Sequence, residues 1–344
     1  MEQPQRQLHH LEKIVAFFAL FAVIALTIGF AQAETATKKK PSAQKASAQK
    51  ASAQVKKVRV VYAPGGTPAA KKKVAARKVQ GDPLDALQAA NPHQVFLHSS
   101  VALVQDLASG ETILSKNTEA VLPIASITKL MTAMVILDRN LERDTRVVIS
   151  EDDMDHLKGT RSRLRPGSTL TRDELLLLAL MASENRAAAA LARTYPGGTD
   201  AFVAAMNEKA RSLGMVDTRY ADSTGLNAAN VSSARDLARL VQAAHQYPVI
   251  REYSTRDGAE VNVLGQPLQY RNTNGLVRST SWDIGLSKTG FINEAGRCLV
   301  MQVRMASKDL VVVLLDSWGK NSRIGDANRI KKWLETSAPS RPRG

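Results

Sequence analysis

Ser126-Ile127-Thr128-Lys129 stands at the head of an apolar segment, with the serine and the lysine three residues apart. On a helix that spacing puts both side chains on one face, so a neutral lysine there accepts the hydroxyl proton. A helix N-terminus stabilises an alkoxide and disfavours the protonated lysine. The spacing alone is a weak signal, because Ser42 with Lys45, Ser47 with Lys50 and Ser317 with Lys320 repeat it. Two further triplets strengthen it. Ser183-Glu184-Asn185 falls at a break between two helical runs, where short polar side chains point into a cleft, and Lys288-Thr289-Gly290 lies on a strand-like run. Singly, Ser183 reads as a helix cap and Lys288 as an edge-strand lysine beside a glycine.

Other chemistries find less support. None of the six histidines (His9, His10, His93, His98, His156 and His245) has the H-x-x-x-H spacing of a metal site. The acidic group Glu151, Asp152, Asp153 and Asp155 with His156 reads as a charged loop or helix start. A G-x-S-x-G elbow is missing, which removes the common Ser-His-Asp hydrolase. Cys298 is the one cysteine; it builds no internal disulfide and reads as a small buried side chain. Met131 and Met134 read as helix core. No cofactor and no metal is implied.

The elements that must carry these residues begin near Asp82. Val101–Leu107 and Glu111–Asn117 are β-rich around Ala108-Ser109-Gly110, a hairpin pattern. Apolar spacing predicts a helix from Ser126 to about Leu137, and Thr171 with Glu174 forms a capping box before the buried run Leu175–Met181. Ala187–Ala192 begins another helix, Thr199 caps one ending near Gly214, and Ser233 caps one running to about His245. Strands return at Leu286–Thr289, Cys298–Met305 and Leu310–Leu315, and a last amphipathic helix lies within Ala327–Glu335, with Ile330, Trp333 and Leu334 on one face. The pattern predicts an α+β body: an antiparallel sheet flanked by helices, with an inserted helical lobe and a cleft between the lobes.

The 344 residues suffice for a large core, and the net charge of +15 is unevenly placed. Between Glu34 and Gln80 there are 13 basic residues and one acid; the first 33 residues balance at zero, which leaves only +3 for the rest. Residues 1–33 read as an export signal: Ile14–Phe30 is an uncharged apolar run after Arg6 and Lys13, ending at Ala31-Gln32-Ala33. An uncleaved run of that length would instead be an inner-membrane anchor. Residues 34–82 read as a disordered basic tether whose charge suits anionic envelope components or a plain solvated spacer. Export argues against a nucleic-acid partner. The folded body is expected over 83–338, with a disordered tail at 339–344.

The three motifs in this order resemble the S-x-x-K, S-x-N, K-T-G set of penicillin-recognising serine enzymes. From about His98 to Thr336 the chain resembles the D-alanyl-D-alanine peptidases among the low-molecular-mass penicillin-binding proteins, serine peptidase family S11. PIASITKLMTAMVILD, LLLLALMASENRAAAALA, STGLN, SARDLARL, RNTNGLV and SKTGFIN resemble the endopeptidase branch of penicillin-binding protein 7 most. The resemblance implies a serine β-lactamase/D,D-peptidase-like fold, a periplasmic location, peptidoglycan as substrate and β-lactams as covalent inhibitors. It implies Ser126 as nucleophile, Lys129 as its base and Ser183 as proton shuttle to the leaving amine. Asn185 would hold the substrate amide, Lys288 and Thr289 its carboxylate, and the backbone N–H groups of Ser126 and Phe291 the oxyanion. Gly290 would let the substrate strand approach. A cation and a hydroxyl suit a free carboxylate beside the cut bond, and paired N–H donors suit the oxyanion.

Within that class the rival activity is D,D-carboxypeptidase, since either substrate presents a carboxylate to Lys288. In the carboxypeptidase branch glycine usually fills the position of Glu184, and a separate β-rich domain follows the last strand, for which 29 residues after Leu315 leave no room. No match to the glutamate-bearing loop of class A β-lactamases is found. A non-catalytic wall-binding scaffold is the reading from another class, and it has no need of Lys129.

Overall fold

A computed structural model of the chain describes residues 82–91 and 93–337. The signal read at 1–33, the tether up to residue 81 and the tail 339–344 lie outside the described residues. Asp82 caps α1 (Pro83–Ala90), its carboxylate accepting from Leu84 N–H at 3.0 Å. The hairpin β1 (Ser99–Asp106) and β2 (Thr112–Lys116) follows, then the short β3 (Leu122–Pro123). A single 3-10 turn, Ala125–Ile127, leads into α2 (Thr128–Asp138). After β4 (Arg146–Val148) and β5 (Thr169–Thr171) come α3 (Arg172–Met181), α4 (Asn185–Arg193) and α5 (Gly198–Ser212). Next are β6 (Val231–Ser232), α6 (Ala234–Ala244), α7 (Pro248–Thr255) and the hairpin β7 (Gly258–Val263) and β8 (Gln266–Arg271). The chain closes with β9 (Asp283–Ile292), β10 (Gly296–Met305), β11 (Lys308–Ser317) and α8 (Ser322–Ser337).

The main sheet has the order β2-β1-β11-β10-β9 and is antiparallel throughout. β10 and β11 are buried on both faces, which explains their continuous apolar runs. Leu299, Met301, Val312 and Leu314 meet Ile330 and Leu334 of α8, while Cys298, Val300, Val311 and Val313 face the helical lobe. That lobe is inserted between β2 and β9, as the strand-helix-strand pattern predicts. α2 is buried from Thr128 through Ile136, so it is a central helix with no solvent stripe. The capping box of Thr171 and Glu174 is formed in both directions.

Several local expectations need correction. α2 begins at Thr128, because Ala125 adopts φ +48° and the segment through Ile127 turns as 3-10 helix. Thr199 is not a cap: Gly197, at φ +88°, turns the chain one residue before α5, and Thr199 lies inside it. The β7–β8 hairpin turns on Leu264 and Gly265, both at positive φ, and a leucine there carries no turn signal in the sequence. Glu151–Asp153 is a short 3-10 turn closed by Ser150, and Asp153 binds Arg193 at 2.8 Å, so the acidic group is structural there. Among the described residues no helix is long and apolar enough to cross a membrane, and no group of three or more His, Cys, Asp or Glu is arranged to hold a metal.

Candidate active site

Ser126 sits in the 3-10 turn before α2, pressed between the edge strand β9 and the loop 222–230. Ile124 N–H donates to the Asn230 carbonyl at 3.0 Å, and the Thr128 hydroxyl closes the turn by donating to the Ala125 carbonyl at 2.8 Å. Gly225, at φ +81°, lies flat on this turn: a β-carbon there would stand 1.9 Å from the Ala125 oxygen. Asp222 folds the loop from within. Its carboxylate accepts from Gly225 N–H at 2.7 Å, from the Thr224 hydroxyl at 2.8 Å and from the Asn230 amide at 2.8 Å. Asn230 in turn donates to Thr128 Oγ1 at 3.0 Å, joining the loop to the start of α2.

Lys129 is fully buried one turn after Ser126. Its Nζ donates to Ser126 Oγ at 2.9 Å, Asn185 Oδ1 at 2.8 Å and the Thr224 carbonyl at 2.6 Å. Burial pushes its pKa down to about 8, against the opposing pull of Asp222 and Glu184. Glu184 caps α4 by accepting from Arg186 N–H, which turns Asn185 into the cleft at the head of that helix. The other face of the Asn185 amide donates to Thr160 Oγ1 at 3.0 Å.

Ser183 occupies the break between α3 and α4 at φ +58°, a conformation that costs a non-glycine residue about 1–3 kcal/mol. Its hydroxyl accepts from Lys288 Nζ at 2.9 Å. Lys288 is buried on β9 and also donates to the Thr289 carbonyl at 2.9 Å. Burial, then the nearby cations Lys129 and Arg323, hold its pKa well below the ordinary lysine value. Thr289 Oγ1 pairs with Thr273 Oγ1 at 2.6 Å. Gly290 brings β9 against the Ser126 turn, since a β-carbon there would lie 3.0 Å from both Ser126 N and Ala125 Cβ. What approaches closely at Gly290 is thus the chain's own turn. The Gly290 carbonyl accepts from Arg323 Nη1 at 2.9 Å, and in a trans peptide this directs the Phe291 N–H the opposite way. The Phe291 ring is half exposed, with the Arg297 guanidinium 4.6 Å from its centroid.

Ser126, Lys129 and Asn185 therefore form one hydrogen-bonded set, and Ser183 with Lys288 forms a second beside it, with Thr289 and Gly290 completing the β9 wall. Sequence reasoning left other members of the site unassigned. Thr224, Asp222 and Asn230 build the floor under Lys129; of these only Thr224 lies in the STGLN stretch. Thr273 belongs to RNTNGLV. Asp155 and Thr160 lie in a loop read only as charged. Arg323 arrives from α8, far along the chain, with no local pattern to mark it.

The chain is matched over residues 88–319 by the Peptidase S11 family, described as D-alanyl-D-alanine carboxypeptidase. It is 49% identical over 247 residues to a D-alanyl-D-alanine endopeptidase of Pseudomonas aeruginosa, covering 71% of this chain and 80% of that protein. With a protein of the same description from Escherichia coli K12 it shares 47% over 245 residues, 71% of this chain and 79% of the other. The crystal structure of the Streptomyces K15 DD-transpeptidase superposes with a TM-score of 0.65 at 27% identity, covering 70% of this chain and 98% of that one. The family match over residues 88–319 takes in all three motifs. The chain belongs to serine peptidase family S11 and has the fold of its D,D-peptidases.

Proposed function

We propose that the protein is a serine D,D-endopeptidase that cleaves D-alanyl cross-bridges of peptidoglycan through an acyl-enzyme on Ser126. The observation that carries this reading is the buried, largely desolvated Lys129 amine 2.9 Å from the Ser126 hydroxyl. Ser126 Oγ attacks the D-alanyl carbonyl while its proton passes to neutral Lys129 Nζ. Negative charge on the carbonyl oxygen is met by the N–H groups of Ser126 and Phe291. As the C–N bond breaks, the proton taken up by Lys129 reaches the leaving amine through the Ser183 hydroxyl, which returns Lys129 to its neutral form and leaves Lys288 its charge. Asn185 holds the acyl-side amide. Lys288 and Thr289 face the carboxylate next to the cut bond, and that carboxylate provides the counter-charge Lys288 lacks. Water then attacks the ester, its proton passing to neutral Lys129 and from there to Ser126 Oγ as the ester C–O bond breaks and the acyl product leaves as the acid. A β-lactam follows the first half of this path, its ring nitrogen leaving without departing, which makes it a covalent inhibitor.

Endopeptidase is favoured over carboxypeptidase by the names of the relatives at 49% and 47% identity and by Glu184 at the position where the carboxypeptidase branch usually has glycine. We assign the work to the periplasm, with residues 1–33 as export signal and the basic segment 34–82 tethering the enzyme to anionic envelope components. The test uses cross-linked muropeptide dimers with tetrapeptide or pentapeptide stems, products resolved by mass. Monomers from the tetrapeptide dimer, lost in Ser126→Ala together with covalent penicillin labelling, are expected. Release of terminal D-alanine alone from pentapeptide stems would make the enzyme a carboxypeptidase, and no product from either would favour the scaffold reading.

A further inference from the structure

The loop between the Glu151–Asp153 turn and β5 meets Asn185 at Thr160 Oγ1, and the order of donors along that path has a single solution. The Asp155 carboxylate accepts from Leu157 and Lys158 N–H at 2.9 Å each through Oδ1, and from Thr160 N–H at 2.8 Å through Oδ2. Burial works against its charge, but these bonds outweigh it and hold the Asp155 pKa below its ordinary value. A charged Asp155 only accepts, so the Thr160 hydroxyl donates to Oδ2, at 2.7 Å. With its one proton committed, Thr160 Oγ1 can only accept from Asn185, and it takes an Nδ2 hydrogen at 3.0 Å. The Asn185 amide is thereby turned with Oδ1 toward Lys129 Nζ, at 2.8 Å. The flipped amide would set two acceptors against each other at Thr160 and two sets of N–H donors against each other at Lys129. Between Asp155 and Thr160, Lys158 ties this stretch to Glu294 in the β9–β10 turn by an ion pair.

We infer that Asp155 and Thr160 are positioning residues for acylation, locking the Asn185 amide so that its carbonyl serves Lys129 and its remaining N–H stays available to the substrate. This deepens the reading of Ser126 and Lys129 as nucleophile and base and rests on it. The charged groups around Lys129 are Asp222 from the loop 222–230, Glu184 from the head of α4 and Lys288 from β9. None of them is changed by a substitution at Thr160, so a movement of the Lys129 titration there reports the amide itself. A carbonyl facing the amine favours the ammonium, and a freed or flipped amide favours it less.

The experiment measures the rate of covalent acylation of the full chain by benzylpenicillin across pH, for wild type, Thr160→Val, Thr160→Ser and Asp155→Asn. Thr160→Val keeps the shape and removes the hydroxyl. It is expected to acylate about tenfold or more slowly, with the acid limb of its pH profile moved to lower pH, and Thr160→Ser is expected to restore both. In Asp155→Asn either orientation of the new amide sets its NH2 against backbone N–H groups, of Thr160 or of Leu157 and Lys158, so the acceptor that fixes the Thr160 hydroxyl is weakened and the variant should behave like Thr160→Val. Wild-type rate and limb in Thr160→Val or in Asp155→Asn would overturn the inference. So would a Thr160→Ser enzyme as slow as Thr160→Val, since the methyl group would then be what matters. A wild-type chain that is not acylated at Ser126 would overturn the functional reading first and this inference with it, and that result is visible before any loop variant is compared.

Discussion

Lys129 and Lys288 are both buried amines, yet their settings fit them for different tasks. Lys129 has Asp222 and Glu184 within electrostatic reach, which offset part of its burial and leave its pKa near 8. Lys288 is held well below the ordinary lysine value by its burial and then by two neighbouring cations, Lys129 and Arg323. In the proposed mechanism Lys129 exchanges a proton near neutral pH and Lys288 receives an anion. A base acts in its neutral form, so the acylation rate is expected to rise about tenfold per pH unit below pH 8 and to level off above it. Glu184→Gln removes a charge that favours the ammonium, and the acid limb should therefore move to lower pH. Penicillin acylation rates of the two proteins across pH 5 to about 9 check this; a limb unmoved in Glu184→Gln would contradict the coupling.

At the scale of elements, the site is made by three segments that hold one another in conformations none would adopt alone. Ala125 at φ +48° and Ser183 at φ +58° lie at the Ser126 turn and the α3–α4 break. Such residues persist where their surroundings over-determine them. Here the surroundings are β9 on one side, admitted by Gly290, and the loop 222–230 on the other, admitted by Gly225. Gly225→Ala adds a β-carbon at positive φ and drives it into the Ala125 carbonyl. We expect a loss of about 2 kcal/mol or more in urea unfolding, and acylation of the remaining folded protein slowed because the Ser126 turn is displaced. Wild-type acylation in a destabilised Gly225→Ala protein would show that the loop supports the fold and not the nucleophile.

Across the whole folded body, the main sheet joins β1 from the start to β11 from the end, and α8 covers their outer face. A buried polar cluster fastens this closure. The Asp326 carboxylate of α8 accepts from Ser99 N–H at 2.7 Å, the Ser99 hydroxyl at 2.6 Å and His98 N–H at 3.0 Å, and pairs with Arg329 at 2.8 Å. Arg329 also binds Asp82 and Asp85, which ties α1 to the same helix. Removing one member of a buried, hydrogen-bonded ion network strands its partners. Asp326→Ala should therefore cost about 3 kcal/mol in urea unfolding, while penicillin acylation of the folded fraction stays at the wild-type rate. Slowed acylation would mean that α8 also governs the site, through Arg323 and the Gly290 carbonyl.

Much of this protein was legible in its chain because the signals were local. The capping boxes and caps at Thr171 and Ser233, the apolar runs of β10 and β11, and the three motifs each depend on a few adjacent residues, and the helical block between two sets of strands follows from their order. The same holds for Ser126 beside Lys129, three apart on one helical path. What only the tertiary structure decided are the contacts between residues far apart in the chain. Lys129 meets Asn185 and the Thr224 carbonyl, Ser183 meets Lys288, and Arg323 meets Gly290. The positive-φ turns at Ala125, Ser183 and Leu264 were equally hidden, since these residue types prefer other conformations and are held there by neighbours that no local pattern names. Spacing along the chain thus marked the residues that come together in the cleft, and packing determined their distances, their burial and the lowered pKa of Lys129.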